Sequence, residues 1–157
     1  AEMIGILNVT TMEETKMENK IPNALPDIRH TLIFKAPIKK VWDAVATSEG
    51  IAAWFMPNNF EPVAGFEFHV DAGPFGKAPC KVLEIDPPNR LLFQWTDDWT
   101  ITFELKALEE KTEFTLIHSG WDADKVTGFG QTHTMIRGTM DQGWAGLVQK
   151  LGSYVEA

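Results

Sequence analysis

The sequence predicts an α+β fold in which a curved antiparallel β-sheet wraps around one long C-terminal α-helix. Three observations lead there. Beyond Gly65, five segments with two-residue alternation follow one another with no helical stretch between them. A sixth such segment stands earlier, and two short helical stretches separate it from the rest. The C-terminal stretch carries an apolar stripe at helical spacing. Each strand offers one apolar face and so does the helix, and covering one with the other buries both.

The body begins at "DIRHTLIF", where Ile28, His30, Leu32 and Phe34 alternate with Arg29, Thr31 and Ile33. Residues 1–27 lack that patterning. They are polar, rich in methionine and contain Pro22 and Pro26, so they read as a mostly irregular N-terminal extension to a domain of residues 28–157. A packed strand at Met3–Val9 is the alternative. In "APIKKVWDAVATSEGIAAWFMP", Pro37 suits a first helical turn. Ile38, Val41, Trp42 and Val45 follow helical spacing. Thr47 and Ser48 can cap a second short helix that runs through Ala53–Phe55 and stops at Pro57.

The meander follows. "GFEFHV" sets Phe66, Phe68 and Val70 against Glu67 and His69, and "APCKVLEID" ends at the turn Pro87–Asn89. "RLLFQW" places Leu91, Phe93 and Trp95 on one face. "TITFELKAL" does the same with Ile101, Phe103 and Leu105, and "TEFTLIHSG" with Phe114, Leu116 and His118. "GWDADKVTGFGQ" reads as a loop, with Asp122 and Asp124 as caps and Trp121 and Phe129 as a gate over the interior. Its glycines do not follow a nucleotide-binding spacing.

The last helix is expected to start between His133 and Arg137. Met140, Trp144, Leu147, Val148, Leu151, Tyr154 and Val155 form its apolar stripe. Four glycines interrupt it, each costing about 1 kcal/mol relative to alanine inside a helix. Gly138 and Gly152 are read as pointing away from the stripe, near the ends. Gly143 and Gly146 share one flank with Thr139. Either another segment packs closely there, or the space stays open.

Bulk properties narrow the function. Fourteen basic residues against twenty-two acidic ones give a net charge of −8, with no basic run. Nucleic acid is therefore not an expected partner, and an anionic membrane surface repels the chain. Cys80 is the single cysteine, which excludes an internal disulfide and any zinc site with two thiolates. No apolar run reaches bilayer length, and the short patch Met3–Leu7 is not a signal peptide. These features point to a cytoplasmic protein without stable membrane anchoring, and a monomer is expected. The histidines, His30, His69, His118 and His133, show no metal-ligand spacing, so neither metal nor cofactor is expected.

The strings "APIKKVWDAVATSEGIAAWFMP", "CKVLEIDPPNRLLFQW", and "TEFTLIHSGW" followed by "MDQGWAGLVQKL" resemble the START-like (SRPBCC) superfamily with its helix-grip fold. The nearest group is the AHSA-type family, related to the C-terminal domain of the heat-shock-chaperone ATPase activator. Within it the chain looks especially similar to a Bacillus member described as a binder of lipids or small apolar ligands. The resemblance implies a cavity between helix and sheet, which favours open space beside Gly143. It also implies a possible chaperone partner.

The inward-facing residues suit a small hydrophobic or aromatic ligand, such as a lipid, flavonoid-like or polyketide-like molecule, bound without covalent chemistry. The candidate lining is Phe68, Phe93, Trp95, Phe103, Phe114, Leu116 and His118 from the sheet. Met140, Gly143, Trp144 and Leu147 come from the helix, with Trp54, Phe55 and Met56 at the mouth. Any of these aromatics can instead simply fill the core. His30 and His118 each read as a hydrogen-bonded core group, a polar handle for a ligand, or a general base. Two rival functions remain: a co-chaperone-like interaction module, and a cyclase or hydrolase using His30 or His118. Ser119 lacks the strained turn of a serine nucleophile and reads as a strand end.

Overall fold

The computed structural model describes residues 23–71, 73, 76–127 and 130–157. The Met3–Val9 segment and Phe129 lie outside the described residues. In chain order the elements are β1 (Ile28–Phe34), α1 (Ile38–Val45), α2 (Ser48–Trp54), β2 (Glu67–Asp71), β3 (Lys77–Asp86), β4 (Arg90–Trp95), β5 (Trp99–Leu108), β6 (Lys111–Ser119) and α3 (His133–Glu156). The strands form one six-stranded sheet in the order β1-β6-β5-β4-β3-β2. All neighbours are antiparallel, so β2 to β6 make a meander and β1 returns beside β6. This is the α+β helix-grip arrangement, with α3 packed across the sheet.

Local chemistry explains the boundaries. Pro37 stands at the N-cap of α1. Thr47 caps α2, its hydroxyl oxygen accepting the Gly50 N–H at 3.0 Å. Thr132 caps α3 and accepts from the Met135 N–H at 3.2 Å. Each such cap satisfies a backbone donor that a helix start leaves unpaired, an effect of about 1 kcal/mol.

The inward parity read from the sequence holds in β2, β4, β5 and β6. Phe68 and Val70 are buried on β2, Leu91, Phe93 and Trp95 on β4, Ile101, Phe103 and Leu105 on β5, and Phe114, Leu116 and His118 on β6. Between Val82 and Glu84 the β3–β4 register shifts. Leu83, left without a register partner there, is 45% exposed, and Val82 is buried.

Helix α3 does not lie evenly over the sheet. It packs against β1, α1 and α2, and its backbone makes no comparable approach to β3, β4 or β5. On the close side, Gly152 is buried, and a Cβ there would sit 3.0 Å from Cε1 of Phe34. The expectation that Gly152 faces away from the apolar stripe is therefore corrected: it is the point where helix and β1 approach, and Phe34 fills the space. Phe34 stacks on Phe114 at 5.6 Å, and Phe103 lies 5.6 Å from Phe114. Trp54 meets Phe103 at 5.7 Å and donates its indole N–H to the Ala44 carbonyl at 2.9 Å. Tyr154, placed in the apolar stripe from the sequence, is 43% exposed; its place is taken by Gly152 and Val155.

The loop after β6 also differs from expectation. Trp121 is no gate. It is fully buried and donates its indole N–H to the His118 carbonyl at 3.0 Å. Gly120 has φ +99°, and a Cβ there would fall 2.5 Å from the Asp98 carbonyl oxygen. Only glycine permits that turn, which folds Trp121 back onto the sheet. Asp122 does act as a loop cap, its carboxylate accepting from the Asp124 N–H at 2.9 Å. The segment ahead of β1 joins this loop, with Leu25 N–H donating to Trp121 O and Ala123 N–H to Asn23 O, both at 3.0 Å. The last residues assigned to the N-terminal extension therefore pair with the body, Leu25 packing on the core.

Candidate functional site

Where α3 stands off from the sheet, a cavity of about 850 Å³ remains. Its helix wall is Ile136, Thr139, Met140, Gly143, Trp144 and Leu147. Phe55 and Met56, at the end of α2, close one side, and Trp95 to Trp99 with Lys77 to Pro79 form the sheet side. Val126, Thr127 and Gln131 contribute from the loop. A second hollow of about 510 Å³, lined by Glu67, His69, Lys77, Lys81, Gln94 and Asp97 among others, has a charged and polar wall. The first is the candidate site, because most of its exposed wall is apolar and aromatic, as in small-molecule sites.

The expected lining divides in two. Phe55, Met56, Trp95, Met140, Gly143, Trp144 and Leu147 do bound the cavity. Trp54, Phe68, Phe93, Phe103, Phe114, Leu116 and His118 are not on its wall; they are buried in the core beside it. They have the right face but the wrong position along it: Trp54, Phe103, Phe114 and Leu116 lie where the helices approach β1, β5 and β6, and Phe68 and Phe93 are covered by each other and by Phe60 from the loop after α2. Phe68 and Phe93, for instance, pack edge-to-face at 5.6 Å, and Phe60 lies 5.2 Å from Phe68. The glycine flank is open: a Cβ on Gly143 or on Gly146 would meet nothing within 4 Å. Gly143 borders the cavity, and Gly146 lies on the exposed helix surface.

Trp99 was missed, and its signal was present. Ile101, Phe103 and Leu105 point inward, so Trp99 has the same parity. It pairs in register with Trp95 across the β4–β5 hairpin. The turn between them, Thr96–Asp98, places Thr96 at φ 58°, an uncommon conformation for a β-branched residue. Two contacts hold it there: the Thr96 N–H donates to the Pro79 carbonyl at 2.7 Å, and its hydroxyl oxygen accepts from the Asp98 N–H at 3.1 Å. The turn thus fixes Trp95, Trp99, Asp97 and Asp98 along one side of the cavity.

Behind that side lies an aromatic layer. His118 is fully buried, with ring centroids of Trp121, Trp99 and Trp95 at 4.5, 5.1 and 5.7 Å. Its Nδ1 accepts the Trp144 indole N–H at 2.8 Å, so the ring proton belongs on Nε2. Burial first, then the nearby His133 and Arg137 charges, press the His118 pKa down to about 3, which keeps the ring neutral. Of the three readings open for His118, the geometry fits the core group that anchors Trp144. His30 lies elsewhere, between β1 and α3, where its Nε2 meets Asp141 at 2.8 Å. His133 is buried at the start of α3, its Nδ1 accepting the Asp122 N–H at 3.1 Å and its Nε2 lying 3.8 Å from the Asp98 carboxylate. Burial raises the Cys80 thiol to about 12, opposed weakly by a hydrogen bond from the Thr96 backbone. It is a structural thiol rather than a nucleophile. Among the described residues, no group of three or more His, Cys, Asp or Glu is placed to hold a metal ion. No described helix is long and apolar enough to cross a membrane.

A six-stranded antiparallel sheet gripping a C-terminal helix, with an apolar cavity between them, defines a START-like protein. Residues 35–156 match the family described as activator of Hsp90 ATPase homolog 1-like protein, and the chain belongs to that family. A search of curated proteins finds no match. Among solved structures, the chain is similar to protein BH1534 of Bacillus halodurans. The identity is 43% and the TM-score 0.77, over 85% of this chain and 99% of that one. The Aha1 dimer of Colwellia psychrerythraea shares the fold at 21% identity and TM-score 0.68, over 84% of this chain and 97% of that one. DynU16, a protein of the dynemicin biosynthetic locus, does so at 24% identity and TM-score 0.69, over 83% of this chain and 47% of that one.

Proposed function

We propose that this protein binds a small hydrophobic or aromatic molecule in the cavity between α3 and the sheet, without covalent chemistry. The observation that carries the reading is the cavity itself: about 850 Å³, bounded by Phe55, Met56, Trp95, Trp99, Met140, Trp144 and Leu147. Side chains of this kind, left facing open space, gain hydrophobic free energy of about 25 cal/mol per Å² when a ligand covers them. The exposed wall is mostly apolar, so the ligand's shape and apolar area dominate recognition. Lipid-, flavonoid- and polyketide-like molecules all meet that demand. A catalytic reading lacks its central piece, because neither His30 nor His118 lines the cavity.

A thermal-shift screen with lipids and flat aromatic compounds tests the proposal. A ligand that binds only the folded chain stabilises it by about 2.7 kcal/mol at one hundred times its dissociation constant. The family's description carries a second reading, a module that docks on a chaperone ATPase. A screen in which no apolar compound shifts the melting point, while an Hsp90-type ATPase binds the chain, would replace the first reading with the second.

A further inference from the structure

The cavity wall changes character along its length. Helix α3 contributes to it from Ile136 to Leu147, a rise of about 16 Å. At the Leu147 end, α2 reaches the helix, and Phe55 stacks on Trp144 at 5.3 Å. The lining taken from α2 and from α3 beyond Thr139 is Phe55, Met56, Met140, Gly143, Trp144 and Leu147, without a polar side chain. The Ile136 end differs. There the start of α3 is tied to the loop after β6 and to the β4–β5 turn. The His133 N–H donates to the Lys125 carbonyl at 3.0 Å, and His133 Nε2 lies 3.8 Å from the Asp98 carboxylate. Asp98, Thr127 and Gln131 line this end beside Ile136 and Trp99. The Asp98 side chain is 18% exposed, with Lys125 Nζ at 3.7 Å and His133 Nε2 at 3.8 Å, both beyond hydrogen-bond length. Its carboxylate can therefore accept a further hydrogen bond from the cavity.

We infer that the ligand is an amphiphile with an uncharged hydroxyl head, lying along α3 with the head beside Asp98 and the apolar end between Phe55 and Leu147. The inference rests on the binding reading above and gives the ligand of that cavity a class and a direction. The reverse direction would bury a hydroxyl among groups that cannot pair with it, a cost the stated direction avoids. Charge argues for a neutral head. The wall carries two carboxylates, Asp97 and Asp98, against one lysine, Lys77, which disfavours an anion. An ammonium head would compete with Lys125 for Asp98. A hydroxyl donates to the carboxylate and meets neither penalty.

Four compounds of similar chain length separate the possibilities: decan-1-ol, its isomer 1-methoxynonane, decanoate and decylamine. Each is titrated into the full chain by tryptophan fluorescence. Decan-1-ol is expected to bind about tenfold tighter than the ether, the scale of one net hydrogen bond to a charged group, and tighter than either charged compound. In isotope-filtered NMR, nuclear Overhauser contacts should join its terminal methyl to the methyl groups of Met56 and Leu147. Its hydroxyl-bearing methylene should contact the methyl groups of Thr127 and Ile136. Asp98→Ala should erase the preference for the alcohol over the ether, and the wild-type series and contacts decide the question even if that variant fails to fold. Equal affinity of alcohol and ether overturns the hydroxyl head. Tightest binding of decanoate or decylamine overturns the neutral one. Reversed contacts, or contacts of both ends with both groups of residues, overturn the direction. Each of these results leaves the binding reading intact. Failure of all four to bind also overturns the inference, and whether the binding reading falls with it is read separately from the wider screen of flat aromatic compounds.

Discussion

Gly143 and Gly152 lie on one helix and meet opposite surroundings. At Gly152, a Cβ would press against the aromatic edge of Phe34 at 3.0 Å; at Gly143, nothing stands within 4 Å. The contrast extends to whole regions. On the side of β1, β6, α1 and α2, stacked phenylalanines and Trp54 fill the interior. On the side of the β4–β5 hairpin, the same helix leaves a cavity. One region uses glycine to bring backbone and ring together, the other to leave space unfilled. The lesson is that an unusual helix glycine has no meaning until the opposing surface is known.

The strongest test of the packed region is Trp54→Ala. Removing a fully buried indole should cost about 3–5 kcal/mol through lost burial and a residual cavity. At this chain length, that lowers the melting temperature by roughly 10 °C or more. A loss below 1 kcal/mol in calorimetry would show that this side is no denser than the other, and the comparison would collapse.

Next in size is Gly152→Leu, which overpacks the Phe34 contact and should destabilise by about 1–3 kcal/mol or more. Gly152→Ala demands only a small shift of the Phe34 ring, and the propensity gain partly offsets it. Chemical denaturation of the pair measures the closeness of helix and strand. Equal stabilities for leucine and alanine would show that Phe34 moves aside freely.

The layer between the two regions is probed by pH. The unfolded His118 ionises near pH 6.5, while the folded ring resists protonation down to about 3. The unfolded state therefore binds more protons between these values, and stability is greatest above pH 6.5. It should fall as pH drops through that window, by up to about 1.4 kcal/mol per pH unit from this residue. His118→Gln keeps an acceptor for Trp144 and should flatten the slope. An unchanged slope in the variant would assign the acid sensitivity to other groups.

The smallest expected effect on stability is at the open glycine. Gly143→Ala should gain up to about 1 kcal/mol from helix propensity, with no steric penalty. Gly143→Leu should fold as well as the parent and weaken ligand binding, because its side chain occupies cavity volume. A destabilised leucine variant that still binds would mean that a segment closes over Gly143 in solution, erasing the contrast with Gly152.

Much of this architecture can be read along the chain. Alternation at Leu91-Phe93-Trp95 and at Phe114-Leu116-His118 identified both the strands and their inward faces. Thr47 announced a helix start, and the structure shows it capping. The same alternation extended backward from Ile101 would also have found Trp99. Other features left no such trace. Trp121 looks like a loop aromatic in the sequence, and it is buried only because Gly120 reverses the chain against Asp98. Phe93 and Trp95 share a strand face, yet only Trp95 reaches the cavity wall.

Sequence periodicity alone determined the order of the elements, the meander and the face each strand turns inward, because those follow from backbone geometry within a few residues. It also determined the absence of a disulfide and the acidic charge balance, which depend only on composition. Tertiary structure decided where along those faces the interior is filled and where it is hollow. That depends on how far α3 stands from each strand, a distance set by contacts between residues remote in the chain, Gly152 with Phe34 and His118 with Trp144 among them. A helical or strand period specifies a direction for each side chain and carries no information about what occupies the space it points into.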